Sequence, residues 1–228
     1  RIKEFLMVGS DSTDFLKMLK DKTNNIQREK QPQVLFSLFY LPPIEYFSLL
    51  NQADTVLLEQ CEFYNKQTYR NRCRIATSNG IADLTIPVDK SGKELVRDIR
   101  ISEHTDWQTL HWRTIETAYN SSPFFEYYSD DFRPFYEKKW VFLWDFNFQL
   151  LQKVMELLEI EKEIQLTAKY EFQIHDVFDV RELIHPKKNQ LIEIPPYYQV
   201  FGQKFGFQKG LSVLDLLFNM GNESQLIL

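Results

Sequence analysis

Arg70, Arg72 and Arg74 stand at alternate positions in the run Tyr69-Arg70-Asn71-Arg72-Cys73-Arg74. On an extended strand alternate side chains share a face, so the spacing predicts a cationic face with Cys73 and Ile75 turned the other way. Guanidinium forks bind phosphate oxygens in pairs, so two of these arginines could bridge a pyrophosphate. Lys66 and Asn71 lie in the same stretch and would add donors. His111 is the candidate for proton transfer, because an imidazole titrates near neutrality. Glu59, with Glu62 close behind, could bring a carboxylate to the same mouth. Tyr40, His104 and Trp107 would shape the pocket. Each group also has a purely structural alternative. The arginines could pair with acids such as Asp83, His111 could be a hydrogen-bonded interior histidine, and the rings could be core.

The elements that must position these groups follow from pattern. Ser78-Asn79-Gly80-Ile81 contains Asn-Gly, the strongest short hairpin signal. Leu84, Ile86 and Val88 alternate on the return strand. With Asn79-Gly80 as the loop, Ile75 would face Leu84, Cys73 would face Ile86, Arg74 would face Thr85 and Arg72 would face Pro87, with Arg70 beyond on the same polar face. Upstream, residues 34–39 form an unbroken apolar run, as in a strand buried on both sides. Pro42-Pro43 stops it and opens a helix carrying Ile44, Phe47, Leu49 and Leu50. Residues 55–59 read as a second strand, giving a βαβ unit, and ligands of such sheets sit at the carboxyl ends of strands. Residues 90–101 read as a turn and a short strand.

Downstream, a helix is expected from residue 105 to about residue 120, with Trp107, Leu110, His111, Ile115, Ala118 and Tyr119 along one side. The aromatic residues 124–128 should lead into a turn at Ser129-Asp130-Asp131, followed by one long helix over 133–160 and a strand near 164–168. In the tail, Ser212 and Asp215 have the spacing of a capping box, and Gly221 that of a helix stop. The fold class is therefore α/β (or α+β): a βαβ start, an antiparallel hairpin and a mainly helical second half. Residues 1–33 read as an appendage and linker, in which Ser12 or Thr13 could cap a short helix. Residues 34–228 read as one domain, sheet-rich over 34–103 and helical over 104–228.

Composition narrows the function. The 228 residues carry a net charge of -5, which argues against nucleic acid as a partner. No apolar run approaches a membrane span, and Arg1-Ile2-Lys3-Glu4 does not read as a secretory signal, so a cytoplasmic location is expected. The chain starts without Met, which leaves its native start open. Cys61 and Cys73 make no disulfide framework. His175 and His185 lack ligand-like partners, so no metal is expected, and neither phosphate-loop glycine motif occurs. No cofactor and no oligomeric state can be named. The expected partner is an anionic small molecule.

Four segments together resemble the WbqC-like protein family. They are residues 39–47, residues 63–75, the set His104, Trp107 and His111, and Tyr197-Tyr198-Gln199-Val200-Phe201 followed by residues 211–221. The match spans roughly residues 34–228. Where the family usually opens its first motif with Gln-Pro, this chain has Ser37-Leu38. The resemblance implies a bacterial protein of surface-polysaccharide biosynthesis, suspected of transferring a group onto a nucleotide-linked sugar. A non-catalytic binder of a nucleotide sugar, or of an acidic partner protein, is the alternative.

Overall fold

The computed structural model describes residues 33–89, 92–174 and 176–228. The expectations for residues 1–32 and for His175 fall outside the described residues. The predicted βαβ start is present: β1 (Gln33–Ser37), α1 (Ile44–Gln52) and β2 (Thr55–Glu59), with β1 and β2 parallel and in register from Gln33 opposite Thr55. Val34, Leu35 and Phe36 are fully buried, as an apolar strand covered on both sides requires. After β1 the chain turns sharply, with Leu41 at φ 41, and the turn is held by bonds from Tyr40 N to Tyr69 O and from Val213 N to Pro42 O. A branched side chain at positive φ is strained, so these tertiary bonds must hold it.

The hairpin is β3 (Arg72–Thr77) and β4 (Gly80–Thr85). Its register differs from expectation by two residues: Cys73 lies opposite Leu84, Arg74 opposite Asp83 and Arg72 opposite Thr85. The loop is Ser78-Asn79, and Gly80 takes φ 105 as the first residue of the return strand. A slip of two keeps every side chain on its face, so Cys73 and Ile75 still point into the core, both fully buried. Residues 88–101 hold two short strands, β5 (Val88–Asp89) and β6 (Arg100–Ile101), paired antiparallel around a single 3-10 turn.

In the second half, α2 (Trp107–Tyr119) starts two residues later than expected, with Asp106 capping the N–H of Thr109. It buries Trp107, His111, Ile115, Ala118 and Tyr119, whereas Leu110 is 63% exposed and does not share that face. The expected long helix is two helices, α3 (Phe125–Glu137) and α4 (Leu143–Leu157), and the turn expected at Ser129-Asp130-Asp131 lies inside α3. The break falls where residues 141–143 pair with residues 99–101, through Ile101 N to Val141 O and Leu143 N to Ile99 O. Those backbone bonds compete with helical ones and win.

Two further strands, β7 (Ile164–Leu166) and β8 (Val177–Asp179), complete a four-stranded parallel sheet in the order β7-β2-β1-β8. The second half thus contributes both sheet edges, which the helical reading of 104–228 did not include beyond the strand near 164–168. The chain closes with the one-turn α5 (Gly202–Phe205) and with α6 (Val213–Met220). Ser212 caps α6 as expected, and Gly221 ends it at φ 56. Asp215 does not reach back to Ser212. Its carboxylate is buried, accepting from Tyr119, Tyr197 and Gln199.

Candidate functional site

All four strands of the sheet are parallel, so their carboxyl ends share one edge. The connection from β1 leads to β2, while β8 lies on the other side of β1, so the edge between β1 and β8 is the topological switch point. Ser37, at the end of β1, is buried there and bridges a buried ion pair. It donates to Glu62 at 3.0 Å and accepts from Arg70 at 2.9 Å, while Arg70 grips both Glu62 oxygens at 2.8 and 2.6 Å. The other acid on Arg70 is Glu182, just beyond β8. Burial works to lower the Arg70 pKa, and the hydrogen bonds and charges of Glu62 and Glu182 together outweigh it, so the guanidinium stays charged.

Arg70 is therefore not on the cationic face where alternation put it. It lies ahead of β3, 1% exposed, and turns toward Ser37 and Glu62 instead of continuing the strand pattern. The serine that replaces the family's usual glutamine is part of this interior network.

Glu59, at the end of β2, is fully buried. One oxygen accepts from Cys61 N and Thr167 Oγ1, both at 2.7 Å, and the other from Arg181 at 2.9 Å. Arg181 also binds Asp179, and its guanidinium lies over the Tyr170 ring. No sequence pattern pointed to Thr167, Asp179, Arg181 or Glu182. They flank strands of three residues, too short to show a period, and meet their partners only through the sheet. Along this edge two arginines face four acids: Glu59, Glu62, Asp179 and Glu182. Glu59 and Glu62 are buried and paired there, and Lys188 donates to the Glu182 carbonyl, so the charges of this edge are largely matched.

The hairpin differs. Arg72 and Arg74 bind the two oxygens of Asp83, at 3.2 and 3.3 Å. Two cations on one partly exposed carboxylate leave a surplus positive charge. The Arg72 Nε is shut off from solvent and has no partner among the described residues. Tyr64 and Tyr69 lie alongside. Burial raises the Tyr64 hydroxyl to about 12 while Arg70 and Arg72 pull it down, and burial raises Tyr69 against the pull of Arg74. Lys66 is exposed nearby in sequence, while Asn71 has turned inward to donate to Ile86 O at 2.8 Å.

His111 is 2% exposed. Its Nδ1 lies 3.0 Å from the Tyr40 hydroxyl, which in turn meets the Tyr136 hydroxyl at 2.8 Å. A hydrogen bond to the Thr85 backbone works to raise the His111 pKa. Burial lowers its pKa to about 4, against that hydrogen bond, so it is neutral at pH 7. Neither His111 nor Tyr40, which is fully buried, reaches the surface. His111 instead joins two surfaces: Thr85, opposite Arg72, on one side, and Trp107, with ring centres 5.2 Å away, on the other.

Beyond Trp107 opens a cleft of about 300 Å³ at the start of α2. Trp107 and Trp140 lie in its floor, and Glu103, His104 and Lys139 on its rim. So the structure places the expected site residues in three groups. Arg72 and Arg74 share the hairpin face, His104 and Trp107 share the cleft, and Arg70, Asn71, His111, Glu59 and Tyr40 are held inside by hydrogen bonds.

The model of the WbqC-like protein family matches residues 39–187. The chain belongs to the WbqC-like protein family. The match takes in the post-β1 turn, the hairpin, the cleft and the Arg181-Glu182 turn, and it stops short of the Tyr197 and residue 211–221 segments. The chain is also 27% identical over 216 residues to "Uncharacterized protein Rv1507c" of Mycobacterium tuberculosis (strain ATCC 25618 / H37Rv), covering 81% of this chain and 92% of that protein. No solved structure matches. Among the described residues no helix is long and apolar enough to cross a membrane, and no cluster of metal-ligating side chains occurs.

Proposed function

We propose that this WbqC-like protein is a cytoplasmic group transferase of bacterial surface-polysaccharide biosynthesis, acting on a nucleotide-linked sugar whose phosphates bind Arg72 and Arg74. The observation that carries this reading is the sharing of Asp83: two partly exposed guanidiniums held in place by one carboxylate. The N–H groups not spent on Asp83 offer a phosphate oxygen charged donors. The arginines of the strand edge are already paired inside, which leaves the partly exposed hairpin arginines as the favourable place for an anion. The family resemblance supplies the polysaccharide setting.

The burial of His111 and Glu59 favours a second reading, a non-catalytic protein that holds a nucleotide sugar or an acidic partner protein on the same arginines. A thermal-unfolding screen against nucleotides, nucleotide sugars and acyl-CoA compounds, run beside Arg72→Ala, tests the shared core of both. The expected result is stabilisation of the native protein by one phosphate-bearing class and none of the variant. Equal shifts in both proteins would remove the arginine site. Mass spectrometry of the bound ligand then separates the readings, since a transferase alters its ligand and a carrier returns it unchanged.

A further inference from the structure

The cleft at the start of α2 has a chemistry different from that of the hairpin. Trp107 is 5% exposed, and its indole N–H makes no hydrogen bond among the described residues, although its ring lines the opening. Two rim side chains are fixed by bonds that leave a free acceptor on each. Asp106 spends one carboxylate oxygen on Thr109 N, and Gln108 spends its amide N–H groups on Phe135 O and Lys138 O. Glu103, His104 and Lys139 are exposed at the rim and hold no partner among the described residues. The opening therefore presents donors and acceptors side by side over an indole floor, with no dominant charge.

We propose that this cleft binds a neutral, hydroxyl-rich ring, that is, a monosaccharide unit. Each sugar hydroxyl donates and accepts at once, and so matches alternating donors and acceptors. A phosphate would meet Glu103 and Asp106, and an apolar ligand would leave the Trp107 N–H and both rim carboxylates unsatisfied. At about 300 Å³ the cleft holds one ring, at the lower end of the range for small-molecule sites. The ring has two sources, the sugar of a nucleotide-linked donor or a separate acceptor sugar. The inference extends the reading given above but does not depend on a ligand at Arg72.

The four tryptophans give four indole N–H resonances, and Trp107→Phe assigns that of Trp107. The labelled protein is titrated with glucose, galactose, N-acetylglucosamine, a UDP-linked sugar and inorganic phosphate, each to about 50 mM, well past millimolar affinity. The expected result is a saturable shift of the Trp107 resonance by a sugar and not by phosphate. Glu103→Ala and His104→Ala, at exposed positions, should each weaken the affinity read from that shift about tenfold, the loss of one good hydrogen bond. A free monosaccharide acting alone marks an acceptor site, and a response to the UDP-linked sugar only marks the donor's sugar. No shift by any sugar, or an equal shift by phosphate, overturns the inference. Because the readout is Trp107, failure here is distinct from failure of the arginine site, which Arg72→Ala reports.

Discussion

Arg70 shows how an interior partner redirects a side chain. Its alternation with Arg72 and Arg74 is plain in the sequence, but Ser37 and Glu62 lie 33 and 8 residues away, and nothing local announces them. A charge taken out of water must be paired, so the buried Glu62 draws Arg70 inward. Arg70→Ala would strand Glu62 without a counter-ion, and we expect a loss of about 3–5 kcal/mol in urea unfolding. Arg70→Ala combined with Glu62→Ala should cost less than Arg70→Ala alone, and a greater loss in the double variant would contradict the pairing account.

Asp215 was legible as a helix-start residue but not as the hub it is. Burial raises its pKa from 3.8 to about 6, with Tyr197, Tyr119 and Gln199 holding it down. A folded value above the unfolded one means that the protonated carboxyl contributes stability below the unfolded value. That contribution is lost as pH rises through about 6. The native protein should therefore lose stability relative to Asp215→Asn as pH rises from about 4 to about 6. Melting profiles that stay parallel across that window would show that Asp215 does not titrate there.

At the scale of elements, legibility followed the strength of local punctuation. The hairpin was readable because Asn79-Gly80 and two alternating strands agree, and the two-residue slip arose because Gly80, rather than the loop, takes the positive φ. The start and end of α6 were readable from Ser212 and Gly221. The division between α3 and α4 was not, because no glycine marks it and the cause is pairing with residues 99–101, about 40 residues upstream along the chain. Gly221 is also tied to α3: a Cβ there would lie 2.6 Å from the Phe124 ring, on backbone at φ 56. Gly221→Ala should cost about 1–3 kcal/mol in urea unfolding. A variant as stable as the native protein would show that Phe124 moves aside freely.

Across the molecule, the βαβ start, the hairpin and the helical content were set by patterns within single segments, and the sheet order was not. β7 and β8 are three residues each, too short to show a period, and they pair with strands far away along the chain. Asp179, Arg181 and Glu182 of the carboxyl edge come with β8, so the pairing along that edge could not be read from the sequence. It matters for function. The arginines of the strand edge are paired inside while those of the hairpin are partly exposed, and His111, hydrogen-bonded to Thr85 and packed on Trp107, links the hairpin to the cleft.

The central claim is that Arg72 and Arg74 hold phosphate. Calorimetric titration with inorganic pyrophosphate tests it most directly, on the native protein, Arg72→Ala, Arg74→Ala and the control Arg133→Ala, whose arginine pairs with Glu137 on the exposed face of α3. A charge-assisted hydrogen bond is worth about 1.5–3 kcal/mol, so either hairpin substitution should weaken binding at least about tenfold, while the control leaves it unchanged. Equal affinity in all four proteins, or no binding by the native one, would contradict the account.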